Sequence, residues 1–227
     1  MTTVREPHLK TGARVAPLSA RLVLLVFGLF VFALGIVLTL RSGMGLGPWD
    51  VLHDGLSRRL PITFGQAGIA VGASLLLLNV CLGERPGIGT IANAVMIGLY
   101  IDALLFLEVV PNLADQGLLA RLAMDVVGVG TIGVGSALYI KAGLGAGPRD
   151  GLMLVLTRRT RQRVGLIRTA IELTALLAGW LLGGTAGVGT AIFALGIGPA
   201  VEAAFRTFRV APHSPPDEPP VSAHSSS

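Results

Sequence analysis

The chain has 227 residues, of which 52% are hydrophobic and 14% charged, and its mean hydropathy is +0.72. A soluble globular domain does not expose that much apolar surface, so the composition excludes one and indicates an integral membrane protein. The formal net charge of +5 does not indicate nucleic acid, because the basic residues sit at the ends of apolar segments and in short loops.

Residues 1–19 read as a basic cytoplasmic segment whose Arg5, Lys10 and Arg14 suit an anionic leaflet. Leu22–Leu40 follows as the first apolar run, near the ~20 residues a helix needs to cross a bilayer. Its basic start resembles a signal peptide, but the run is too long for an h-region and recurs later in the chain, so it is read as a retained span.

Next comes Gly43-Met44-Gly45-Leu46-Gly47-Pro48-Trp49-Asp50. The glycines allow a turn that side chains would forbid. Pro48 suits the first position of a new helix, and Asp50 suits its first turn, where a carboxylate meets free N–H groups. The spacing predicts a short helix to about Arg59, with Trp49, Leu52, Leu56 and Leu60 on its apolar face. At about 18 Å it would cover half a bilayer core. Two placements stay open: an interfacial helix, or a re-entrant one that brings the glycine turn into the protein.

The second and third spans are Phe64–Leu82 and Ile88–Val109. The sole cysteine, Cys81, excludes an intramolecular disulfide and reads as a small buried apolar residue. The third span opens on Gly87-Ile88-Gly89-Thr90, where the glycines make a tight turn and Thr90 is the expected N-cap.

At residue 120 the sequence begins again. Sliding residues 20–106 over 120–206 gives about 29 identities in 87 positions. Gly143-Leu144-Gly145-Ala146-Gly147-Pro148-Arg149-Asp150 repeats the glycine motif, and Gly187-Val188-Gly189-Thr190 repeats the turn, with Thr190 as its N-cap. The spans of this copy are Leu122–Ile140, Val164–Leu182 and Val188–Phe205. A period this long indicates duplication of a half-domain. The domains are therefore a first repeat at 20–106, a linker at 107–119 and a second repeat at 120–206, followed by a Pro/Ser-rich cytoplasmic tail at 207–227 that is expected to be disordered.

The fold class is all-α, with six transmembrane helices in two three-helix repeats, each carrying a short helix after its first span. Three spans per repeat is an odd number, so the second copy enters the membrane from the opposite side and the repeats are inverted. With both termini in the cytoplasm, 14 basic residues lie inside and 4 outside, the bias expected of that orientation. Gly28 and Gly35 in span 1, and Gly128, Gly130, Gly133 and Gly135 in span 4, predict close packing of those two spans on each other.

Among the polar residues, Asp102 matches Glu202 as an acid kept in both halves, and Glu202 stands one turn before Arg206. Asp125 reads as an interfacial acid paired with Arg121. Asn79 and Asn93 read as interhelical hydrogen-bond donors. Glu172 lies midway along its span with Gly72 as its counterpart, an asymmetry suited to a proton or cation site, or else to pairing with Arg168. His53 has Met153 as its counterpart, and Trp49 has Arg149.

The candidate substrate or ion pathway is therefore Asp50, Asp150 and Glu172 with the turns Gly45, Gly47 and Pro48 and Gly145, Gly147 and Pro148. Gly87, Gly89, Thr90, Gly187, Gly189 and Thr190 are assigned to structural turns and caps. No catalytic residue, metal site or cofactor is expected, and the chain is not read as an enzyme.

The motif Gly-x-Gly-x-Gly-Pro-Trp-Asp-Val-Leu-His-x-Gly-Leu at 43–56, its echo at 147–153, and the turns at 86–90 and 187–190 resemble the YczE/YyaS/YitT family of bacterial integral membrane proteins, on its YczE side. The resemblance covers about residues 20–206 and implies a multi-pass plasma-membrane protein. It carries over no catalytic residue. The functional expectation is a secondary transporter or permease for a small solute or ion, lodged in the lipid bilayer. The alternative is a non-transporting accessory, scaffold or substrate-binding subunit, in a homo-oligomer or with a membrane partner.

Overall fold

The computed structural model describes residues 17–210; the basic positions before 17 and the tail from 211 lie outside the described residues. Within them it is all-helical, with α1 (Leu18–Ser42), α2 (Pro48–Arg59), α3 (Phe64–Cys81), α4 (Ile88–Phe106), α5 (Leu118–Lys141), α6 (Pro148–Thr160), α7 (Val164–Leu181) and α8 (Val188–Phe208). All except α2 and α6 are long and apolar enough to cross a membrane, giving six candidate spans. Large side chains such as Phe106, Leu119 and Leu195 point outward, each more than three-quarters exposed. That is the arrangement a lipid-facing surface requires.

The central seam is α1 against α5. Gly28 packs on Tyr139, Gly35 on Ile132, and Gly128 on Thr39, so numbers rise along one helix as they fall along the other and the pair is antiparallel. The missing side chains are what allow this approach. A Cβ on Gly28 would lie 2.5 Å from the Tyr139 nitrogen, and one on Gly35 would lie 2.7 Å from the Ile132 nitrogen. The expected packing of spans 1 and 4 is thus present.

These contacts come in pairs offset by one hundred residues. Gly28 on Tyr139 matches Gly128 on Thr39, and Gly35 on Ile132 matches Gly135 on Phe32. Arg21 donates to the Ala142 and Gly143 carbonyls at 2.8 and 2.6 Å, and Arg121 to those of Ser42 and Gly43 at 2.9 and 2.6 Å. The Gly89 N–H donates to Leu144 O and the Gly189 N–H to Met44 O, both at 2.8 Å.

Those last two bonds explain the glycine turns. Each long helix α4 and α8 opens against the glycine motif of the other half. Gly45 and Gly145 have φ of 123° and 129°, a region that strains any L side chain. A Cβ on Gly145 would also meet Thr90 Oγ1 at 2.6 Å.

One seam breaks the pairing. In the first half α3 packs on α4: a Cβ on Gly65 would overlap the Gly98 carbonyl, and Asp102 accepts from the Gly65 N–H at 2.8 Å and from Thr63 Oγ1 at 2.5 Å. In the second half Gly165 and Gly198 both face open space, and among the described residues Glu202 bonds only Arg206, on its own helix, at 2.5 Å. An open cavity of about 580 Å³ lies there, walled by Arg168 of α7 and by Ile197, Val201, Phe205, Arg206 and Arg209 of α8.

Several sequence expectations are corrected. The N-caps of α4 and α8 are Gly87 and Gly187, and Thr90 and Thr190 fall one turn later. There Thr190 Oγ1 accepts from the Gly187 N–H at 3.1 Å, closing the turn from inside the helix. Asp125 is fully buried and takes its hydrogen bond from Ser42 Oγ at 3.2 Å, because Arg121 is committed to backbone carbonyls. Cys81, the last residue of α3, is exposed on its outer face.

Candidate functional site

The two short helices place the site. Trp49 shares a wall with Ile171 and Glu172, half way along α7, and Arg59 Nε donates to the Leu182 carbonyl beyond the end of α7 at 3.1 Å. α2 therefore runs beside the second half of α7, from its middle to its end. α6 runs likewise beside α3, with Arg149 near Gly72 and Leu75 and with Arg159 donating to the Leu82 carbonyl at 3.1 Å.

The face that α2 buries is Pro48, Val51, Asp54 and Gly55 rather than the expected Trp49, Leu52, Leu56 and Leu60. Backbone causes this. Gly55 lies on the Gly179 carbonyl and Gly184 on the Val51 carbonyl, so the helices meet where side chains are absent. Asp54 locks the contact: it accepts from Arg58 Nε at 3.0 Å, from the Thr185 N–H at 2.8 Å and from Thr185 Oγ1 at 2.7 Å. Arg158 ties down α6 through Glu84. On that side Asn79 donates to the Pro148 carbonyl at 2.7 Å, the interhelical role its sequence position suggested.

Both short helices thus point their N-termini at the middle of the bundle, where a cavity of about 110 Å³ lies. Its walls are largely apolar, with Phe32 and Ile36 of α1, Val71 of α3, Ile97 of α4, Ile132 of α5 and Phe193 of α8 among them. The polar groups come from the short helices and their neighbours: Asp50, His53, Asn93, Tyr139 and Arg149. Asp50 is buried and its Oδ1 lies 3.4 Å from His53 Nδ1. His53 in turn stands edge-on to Phe64. The Trp49 Nε1 is buried without a hydrogen-bond partner among the described residues.

A narrower cavity of about 10 Å³ adjoins, sharing Trp49 and Arg149 and adding Asp150, Met153, Arg168 and Glu172. Glu172 pairs with Arg168 at 3.7 Å. Of the predicted pathway residues, Asp50, Gly147 and Pro148 line the central cavity and Asp150 and Glu172 line its neighbour. Gly45 and Gly145 instead form the interlocked turns behind it, and Gly47 stacks on the Phe193 ring.

Three positions at which the halves differ fall here: Trp49 and Arg149, His53 and Met153, Gly72 and Glu172. Sequence reasoning missed Asp54 and Thr185, whose pairing spans 131 residues. It also missed Tyr139 and Phe193, which read as ordinary span residues. No signal in the sequence alone distinguishes these four.

Residues 19–206 match the model of a family of unknown function, DUF6198. Over 170 residues the chain is 37% identical to the uncharacterized membrane protein YczE of Bacillus subtilis, covering 74% of this chain and 77% of that one. An uncharacterized protein of Haemophilus influenzae is 32% identical over 85% of this chain and 86% of its own length. YyaS of Bacillus subtilis is 31% identical over 72% of this chain and 81% of its own. No solved structure matches.

Proposed function

The chain belongs to the DUF6198 family of YczE-like membrane proteins, and we propose that it is a secondary transporter of a small solute, built from two inverted repeats that alternate access to the central cavity. The observation that carries this reading is the unequal treatment of one seam. Gly65 and Gly98 are in contact while Gly165 and Gly198 stand open, beside a cavity flanked by the N-termini of both short helices.

Antiparallel α1 and α5 and contacts paired at the hundred-residue offset support inversion of the halves. In such a design the same residues adopt two arrangements, and exchanging them moves the opening from one side of the membrane to the other. The α3–α4 seam would open as the α7–α8 seam shuts. Mid-bundle N-termini of α2 and α6 support the re-entrant placement of the short helices. With both termini cytoplasmic, the present opening between α7 and α8 faces the cytoplasm.

Two measurements test this. In a Cys81→Ala background, a cysteine at 60 should label from outside intact cells and one at 160 should not; equal labelling refutes inversion. In proteoliposomes, a disulfide between cysteines placed at 165 and 198 should form and then stop solute flux. Flux that persists after complete cross-linking refutes the exchange of seams.

A further inference from the structure

We propose that Arg149 anchors a binding site for a small monovalent anion, a carboxylate with a compact apolar body, in the central cavity. The inference deepens the transport reading, on which its purpose rests, but its chemistry rests on Arg149.

A guanidinium is charged at every relevant pH, and Arg149, half-buried in the membrane interior, gains from a partner of opposite charge. Arg149 lines both the central cavity and the narrow one beside it. Yet it makes no ion pair and no side-chain hydrogen bond with any of the described residues. Three acids share the two cavities with it, Asp50, Asp150 and Glu172, and two of them have another partner. Glu172 faces Arg168 at 3.7 Å and Asp50 faces His53 at 3.4 Å. Asp150 sits in the first turn of α6, where the free N–H groups favour a carboxylate, and it forms no ion pair with Arg149. The guanidinium is left for something that enters the cavity.

The surroundings select what enters. The N-termini of α2 and α6 add positive potential at the same place. The counterpart of Arg149 is Trp49, so one guanidinium lines the central cavity, with the Asp50 carboxylate set beside His53, and a ligand it matches carries no more than a single negative charge. Phe32, Ile36, Val71, Ile97 and Phe193 wall the rest, which suits an apolar body. The cavity of about 110 Å³ has room for roughly four waters at about 30 Å³ each, so the ligand is small. Arg168 lines both the narrow cavity and the open one, where Arg206 and Arg209 follow. Arg168 and Arg206 are paired with Glu172 and Glu202, which leaves Arg209 as the positive group at that mouth among the described residues.

The test uses the purified full-length chain in lipid nanodiscs, with acetate, propionate and benzoate as probes and benzamide and benzylammonium as shape-matched controls. Calorimetry and thermal shift should show binding of at least one carboxylate and of neither control. Arg149→Gln should weaken that binding about thirtyfold or more, the effect of removing one side of a buried charge pair, and Arg149→Lys should retain part of it. If Arg149→Gln does not fold, the comparison of Arg149→Lys with wild type and of benzoate with benzamide decides. Binding of benzylammonium, failure of all three carboxylates, or undiminished benzoate binding by Arg149→Gln overturns the proposal. Carboxylate binding without flux of any solute in liposomes would refute the transporter and leave the anion site. Flux of a cation that ignores Arg149→Gln would refute the anion site and leave the transporter.

Discussion

Two glycines of α5, two residues apart, should respond in opposite directions to the same substitution. A Cβ on Gly128 would meet Thr39 Cγ2 at 2.7 Å and the Gly35 oxygen and Thr39 nitrogen at 3.0 Å, whereas one on Gly130 would meet nothing within 4 Å. Two of the Gly128 obstacles are backbone of α1, so relief requires the helices to separate by several tenths of an ångström, against a seam made of similar contacts at Gly28, Gly35 and Gly135. Overpacking of this kind costs about 1–3 kcal/mol. Alanine returns roughly 0.8–1 kcal/mol of helix propensity at either position. Gly128→Ala should therefore be destabilised by about 0–2 kcal/mol, and Gly130→Ala stabilised by up to about 1 kcal/mol. Reversible unfolding in mixed micelles reads both, and the double variant should show additive effects if only Gly128 touches α1. A Gly128→Ala protein as stable as Gly130→Ala would refute the claim that backbone contact holds this seam.

Asp54→Leu, which copies the counterpart residue Leu154, strands the Thr185 N–H and Arg58; stability should fall by about 2–4 kcal/mol in chemical unfolding, while Asp54→Asn should lose less. Gly145→Ala forces a side chain into a backbone at φ 129° and against Thr90, and should cost about 2 kcal/mol or more, seen as a lower melting temperature. Ser42→Ala removes the hydrogen bond that Asp125 receives, and a loss of about 1–3 kcal/mol is expected, with Ser42→Thr less affected.

The spans, the short helices and the α1–α5 seam were legible because each has a periodic or punctuating signal: apolar length, Pro48 and Pro148 at helix starts, and glycines on facing helices. The buried face of α2 was not legible, because hydrophobic spacing counts side chains and this contact is made by Gly55, Gly179 and Gly184. Asp125 was misassigned because its neighbour one turn away, Arg121, offered a local partner, while the real one, Ser42, lies 83 residues off. The difference between the α3–α4 and α7–α8 seams lay beyond any reading of residue types. Gly65 and Gly165, and Gly98 and Gly198, are the same residues in different surroundings.

That identity bears on how the site works. Where the halves agree, at the glycine turns and at Arg21 and Arg121, they build reciprocal contacts that hold a frame. Three pairs that differ, at 49 and 149, 53 and 153, and 72 and 172, line the central cavities, and for the first of them symmetry itself gives the reason. On the inverted-repeat reading, residues near the axis face their own counterparts. An arginine at both 49 and 149 would set two like charges against each other in a poorly solvated space, and tryptophan at both would leave the cavity without a cation. A single charge near the axis therefore requires the duplication to have broken at this point. Arg149→Trp and Trp49→Arg combined should move the charge to the other half and preserve carboxylate binding better than Arg149→Trp alone. If the double exchange binds no better than the single one, the cavity does not read charge by its place near the axis, and Arg149 acts only in the setting that Glu172 and Arg168 give it.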